Sequence, residues 1–107
     1  MSTTYRTATP DDALLLTQLW QQCDGVAPDP VMTDVRWLRT QLESTQWAWF
    51  LAERGGVPVA VVALLVDREH QLGKITRIYD RDAGAERTVH GLLEMAMAHL
   101  RERGVDV

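Results

Sequence analysis

Lys74-Ile75-Thr76-Arg77-Ile78-Tyr79, then the polar loop Asp80-Arg81-Asp82-Ala83-Gly84, then a helix-length run closing on Leu100-Arg101-Glu102-Arg103-Gly104: the reading of the whole chain turns on this stretch. In the last part Val89, Leu92, Leu93, Ala96 and Leu100 recur at the spacing of one helix face, while Glu94, Ala98 and Arg101 fall opposite. Arg101 and Arg103 lie in the final turn, where the helix dipole favours cations, and Gly104 follows as a left-handed cap. The order is strand, loop, amphipathic helix, stop. Val105-Asp106-Val107 then reads as the first residues of a further strand.

A chain of 107 residues has room for one domain and no second core. Hydrophobic residues at 46% and charged ones at 24% are ordinary for a soluble globular protein, so composition suggests neither disorder nor a membrane span. The longest apolar run, Val57 to Val66, contains Pro58 and is about half the length of a membrane-spanning helix, so it is expected as a buried strand. The opening Met1-Ser2-Thr3-Thr4-Tyr5-Arg6 has no apolar signal core, and a cytoplasmic setting is expected. A net charge of -4 with Lys74 as the single lysine argues against a nucleic-acid surface, which needs clustered cations. The lone Cys23 reads as a small core residue on a helix face.

Upstream, Tyr5-Arg6-Thr7-Ala8-Thr9 forms a short strand, and Thr9-Pro10-Asp11-Asp12 starts a helix with Thr9 as N-cap and Pro10 at the first helical position. That helix is expected to bury Leu15, Leu16, Leu19, Trp20 and Cys23. Asp24 to Pro30, with its two prolines and one glycine, breaks it. Thr33 with Asp34 caps a shorter helix whose apolar face is Val35, Leu38 and Leu42, with Trp37 at its edge. From Trp47 the period becomes extended. Trp47 to Glu53 leads into Arg54-Gly55-Gly56, a hairpin turn, and Val57 to Val66 returns as the partner strand. Asp67 to Gly73 reverses the chain into the strand Lys74 to Tyr79. The order β-α-α-β-β-β-α with a β stub predicts an α/β (α+β) layered fold, with helices packed on a mainly antiparallel sheet.

Three stretches in this order resemble the GNAT superfamily of acetyl-CoA-dependent N-acetyltransferases: Tyr5 to Asp12, Leu51 to Ala60 around the Gly55-Gly56 turn, and Gly91-Leu92-Leu93-Glu94 with Ala98 to Gly104. The resemblance covers nearly the whole chain and implies a GNAT-like domain, a mainly antiparallel mixed sheet with helices on both faces, whose C-terminal part is missing. It implies acyl transfer from acetyl-CoA to a small-molecule or peptide amine. It also implies that backbone amides of Lys74 to Tyr79, Ile78 and Tyr79 among them, pair with the pantetheine arm. Gly84, Ala85, Glu86, Arg87 and Thr88 would then meet the pyrophosphate at a helix N-terminus.

The family's Gln/Arg-x-x-Gly-x-Gly/Ala loop is matched here by Gly84, Arg87 and Val89, all departures, so the loop is degenerate. A side chain at a glycine position obstructs a phosphate approaching the backbone. Either Arg87 reaches the phosphates as a charged donor, or it is a solvated arginine on a capped helix start. The family's strand glutamate has no counterpart, since Lys74, Thr76, Arg77 and Tyr79 precede Asp80 without a carboxylate, and the region holding its acidic tyrosine is absent.

Other reactive groups have plainer readings. His70, His90 and His99 lack metal-ligand spacing, and Asp80 and Asp82 fit helix capping as well as base chemistry. Trp20, Trp37, Trp47 and Trp49 are expected in the core or a partner interface, with one of Trp47 and Trp49 facing the other layer. Asp24, Asp29 and Asp34 make the first inter-helix loop acidic, which favours a cationic amine or is simply a solvated loop. Two functions stay open: an acyl-CoA N-acyltransferase, and a non-catalytic GNAT-like module acting through partner binding or homodimerisation, in which a second subunit covers the open sheet edge. A fragment of a longer chain would present the same ending.

Overall fold

The computed structural model describes residues 3–23, 27–67, 69, 72–81 and 86–102. Strand β1 (Thr3–Thr7) leads through a single 3-10 turn at Pro10–Asp12 into α1 (Ala13–Gln22), followed by α2 (Pro30–Thr33) and α3 (Val35–Glu43). Strands β2 (Trp47–Arg54), β3 (Val57–Asp67) and β4 (Leu72–Asp80) come next, then α4 (Glu86–Glu102). The strands form one sheet in the order β1-β2-β3-β4, and every pairing among the described residues is antiparallel. The expected strand stub at Val105 to Val107 lies outside the described residues, as does Gly104.

Each element follows from a local cause. Thr9 caps the first turn as expected: its N–H donates to Asp12 Oδ2 at 2.7 Å while the Asp12 N–H returns to Thr9 O. Arg6 fixes this turn to the sheet, its two Nη atoms meeting Asp12 at 2.7 and 2.8 Å and its Nε meeting Glu53 of β2. Gly55 and Gly56 carry φ of 62° and 79°, the positive pair that a two-residue hairpin with right-handed strand twist requires. Asp34 rather than Thr33 caps α3, accepting from Arg36 N and Trp37 N, because Thr33 is spent as the last residue of the one-turn α2. The expected loop over Asp24 to Pro30 thus ends in a helical turn that Pro30 starts and Asp29 caps.

Helices cover both sheet faces. On one, α1, α2 and α3 bury Leu16, Leu19, Cys23, Met32 and Leu38 against Trp49, Leu51, Val61 and Ala63. On the other, Leu92, Ala96 and Leu100 of α4 pack on Phe50, Ala52, Val62 and Leu64. The unbroken apolar run of β3 is explained by this: Val59 to Leu64 are each at most 1% exposed because the strand is central and covered twice. Other sequence expectations also fail in detail. Leu15 faces outward, since the core stripe of α1 runs through Ala13, Leu16 and Leu19. Trp47 and Trp49, two apart on a strand, share the α1–α3 face rather than dividing between faces. Strand β4 begins at Leu72, two residues before Lys74.

Candidate functional site

Strand β4 is an edge of the sheet among the described residues, and its pairing with β3 slips by one residue. Ala63 faces Arg77 and Leu64 faces Ile75, which leaves Thr76 as an extra residue, with its Oγ1 donating to Ala63 O at 3.3 Å. The bulge resets the alternation of side chains. Ile75 and Ile78 stand opposite Leu64 and Val62 on the α4 face, while Arg77 and Tyr79 stand opposite Ala63 and Val61 on the α1–α3 face. Without the extra residue, every side chain on one side of it would swap faces.

On the α1–α3 face Arg77 and Tyr79 meet Asp29, from the turn that opens α2. Arg77 Nε and Nη2 donate to Asp29 Oδ2 and Oδ1 at 2.7 and 3.3 Å, Tyr79 Oη–H donates to Oδ2 at 2.7 Å, and Val31 N–H donates to Oδ1 at 3.2 Å. The guanidinium lies over the rings of Trp47 and Trp49, 5.6 and 5.7 Å from their centroids. Arg77 and Asp29 are mostly buried, their side chains 17% and 13% exposed. An open cleft of about 460 Å³ runs over this cluster, lined by Ala27, Pro28, Asp29, Trp47, Thr76, Arg77 and Tyr79.

The cluster sets its own protonation. Burial pushes the Asp29 carboxyl up, but hydrogen bonds from Arg77 and Tyr79, with the Arg77 charge behind them, outweigh it and hold the group below the ordinary aspartate range. Tyr79 is pushed up to about 12, first by burial and then by its bond to the Asp29 anion. So near neutral pH the site holds a carboxylate, a guanidinium and a neutral phenol, with no net charge.

A second region lies at the mouth of α4. Thr88 is buried, and Arg54, the last residue of β2, reaches its Oγ1 at 3.4 Å. Arg87 is exposed beside it and Val89 is half-buried, outside the α4 core stripe. Arg54 from β2 thus reaches the first turn of α4, which also carries Arg87. Gly84 and Ala85 lie outside the described residues, as does the Glu86 side chain; Ile78 is on the β4 edge, its side chain 47% exposed.

The sequence reading placed Tyr79 among the cofactor contacts through its backbone, whereas its hydroxyl belongs to the cleft. It gave Asp29 only as part of an acidic loop and gave Arg77 no role. Asp29 pairs with residues 48 and 50 positions away, a partnership that no local pattern announces. The remaining candidates resolve simply. His90 is exposed and pairs with Glu94 at 3.0 Å, His99 stacks edge-on against Phe50 at 5.4 Å, and Cys23 is buried with its thiol on Leu19 O. Asp80 ends β4; His70 and Asp82 lie outside the described residues. Among the described residues there is no group of three metal-ligating side chains, and no helix is long and apolar enough to cross a membrane.

A four-stranded antiparallel meander with α1–α3 on one face and α4 on the other, entered after a bulged edge strand, is a GNAT-like fold. It superposes on the PaiA N-acetyltransferase from Thermoplasma acidophilum in complex with coenzyme A with a TM-score of 0.81, at 13% identity, over 98% of this chain and 76% of that one. A predicted acetyltransferase from Clostridium acetobutylicum, solved with acetyl-CoA, gives 0.74 at 18% identity over 98% and 77% of the two chains. An acetyltransferase of the GNAT family from Streptococcus pneumoniae gives 0.76 at 18% identity, over 97% and 70%. No protein-family model and no curated protein matches the sequence.

Proposed function

We propose that this chain is an acetyl-CoA-dependent N-acyltransferase of GNAT type, taking its acceptor amine in the cleft above Asp29, Arg77 and Tyr79. The observation that carries the reading is one of placement. The cleft opens on the bulged edge strand β4, and that strand runs toward the helix mouth where Arg54 meets Thr88. Acetyl-CoA, when bound, supplies the acetyl group as an activated thioester.

In this reading the outer edge of β4, including the backbone of Ile78 and Tyr79, receives the pantetheine arm as an added strand. Gly84, Ala85, Glu86, Arg87 and Thr88 receive the pyrophosphate. The loop is degenerate relative to the GNAT pattern, and Arg87 and Arg54 supply the charge that glycine amides supply elsewhere. Acyl transfer needs the amine free of its proton and held against the thioester carbonyl. Tyr79 keeps its proton across the neutral range and donates a hydrogen bond through it to the Asp29 carboxylate, so both groups are fixed, and the pair with Arg77 forms a rigid floor. A cytoplasmic setting, where acetyl-CoA is made and used, goes with this reading.

The support is the fold likeness to proteins solved with coenzyme A or acetyl-CoA, together with the cation-bearing mouth of α4. Calorimetry with acetyl-CoA tests it: saturable binding is expected, and no heat at millimolar ligand removes the proposal.

A second reading has one observation in its favour. Leu72 and Ile78 on the edge strand are 54% and 47% exposed, apolar residues beside backbone that has no strand partner among the described residues, which is how a β edge prepared for another chain looks. Association into a homodimer through that edge predicts a dimeric mass by light scattering at micromolar concentration. A monomer at that concentration dismisses it.

A further inference from the structure

The Arg77 guanidinium uses only part of its hydrogen-bonding capacity. Of its five N–H donors, Nε–H and one on Nη2 go to Asp29, and the Nη1 donors have no acceptor among the described residues. The side chain is nonetheless 17% exposed, backed by two indole rings and lining the cleft. The outer edge therefore opens on the cleft, where water or a ligand supplies its acceptor, and the fork geometry of that edge matches a carboxylate.

Asp29 cannot serve as the counter-charge for a cationic ligand in the same way. It already accepts from Arg77 twice, from Tyr79 and from Val31, and an incoming ammonium would displace a guanidinium held bidentately. The cation–π faces of Trp47 and Trp49 are likewise engaged by Arg77. Among the described residues, the charged group that the cleft leaves available is the outer edge of Arg77, beside the exposed part of Trp47.

We infer that the acceptor is an amine that carries a carboxylate, an amino-acid-type substrate, with Arg77 as its specificity residue: the outer guanidinium edge binds the carboxylate, and Asp29 and Tyr79 hold Arg77 in place. This deepens the acyltransferase reading, since it names the substrate class of the same cleft. The acidic inter-helix loop favours a cationic amine when read as sequence; the pairing of Asp29 reverses that preference at the cleft floor. Pre-organisation matters here because a ligand that need not order the arginine loses less entropy on binding.

The test is a calorimetric titration without coenzyme, using L-phenylalanine, L-phenylalaninol, which differs by having no carboxylate, and spermidine. Binding of L-phenylalanine at least about tenfold tighter than L-phenylalaninol is expected, as for one lost charged bidentate contact. Spermidine should bind no better than L-phenylalaninol. In Arg77→Met the preference should disappear. Arg77→Lys, which keeps a cation against Asp29 and so protects the fold, should lower it severalfold, with circular dichroism unchanged. Equal or tighter binding of L-phenylalaninol or spermidine, a preference that survives both substitutions, or no binding of any of the three at millimolar concentration overturns the inference. Because no coenzyme is present, such a failure leaves the acetyl-CoA titration to stand or fall separately.

Discussion

Removing the Asp29 carboxylate is the perturbation that reaches furthest into this structure, because one side chain caps α2, anchors Arg77 and accepts from Tyr79. In Asp29→Ala the cap is worth about 1 kcal/mol. Breaking a fully buried ion pair by deleting one partner costs about 3–5 kcal/mol. The side chains here are 17% and 13% exposed, so water reaches the stranded guanidinium, and about 2 kcal/mol is the appropriate share. The sum, about 3 kcal/mol, lowers Tm by roughly 15 °C for a domain of this size. Thermal or urea unfolding of Asp29→Ala, Arg77→Met and the double variant measures it. The double variant should be less destabilised than the sum of the singles by about 1–2 kcal/mol, because Arg77→Met also removes the unpaired charge. A single-variant loss under about 0.5 kcal/mol, or strict additivity, would show that the cluster is a surface decoration and not the floor of a built cleft.

The same carboxylate predicts a pH dependence. Its folded pKa lies below the unfolded value, so the unfolded state binds more protons in acid; the stability it contributes is complete above the ordinary aspartate pKa of about 3.9 and is lost as pH falls through the lower folded value. The acid limb of a stability curve should therefore be steeper in the wild type than in Asp29→Ala, and parallel limbs would contradict the assignment. Gly73→Ala places a Cβ 2.5 Å from both Leu100 Cδ atoms, so overpacking should cost about 1–3 kcal/mol in denaturant unfolding. Leu92→Ala empties a fully buried site between α4 and β3 and should cost about 2–5 kcal/mol by the same measurement.

Most of the architecture was legible in the residues because it rests on local chemistry. The cap at Thr9 with Asp12, the paired glycines at 55 and 56, the doubly covered run of β3 and the stripe through Leu92, Ala96 and Leu100 each follow from a few neighbouring positions. The GNAT-like order of elements follows from those. What escaped was non-local. The bulge at Thr76 comes from the register of β4 against β3, and it alone decides that Arg77 and Tyr79 turn to the α1–α3 layer. Asp29 reads as one of several loop aspartates until the fold lays it on β4. Leu15 illustrates the opposite error, since a run of three leucines fits more than one helix face and only the packed partners choose between them. Thr33 and Asp34 are both good caps, and the choice fell to Asp34 because a preceding proline had already started a turn.

The account stands on acetyl-CoA lying along β4 and reaching the mouth of α4. Backbone amide chemical shifts, recorded by NMR as acetyl-CoA is added, test this most directly. The amides of Lys74 to Tyr79 and of Arg87 and Thr88 are predicted to move together and saturate, while those of α1 away from the cleft stay in place. Unmoved shifts along β4 and the first turn of α4 at saturating ligand would contradict it.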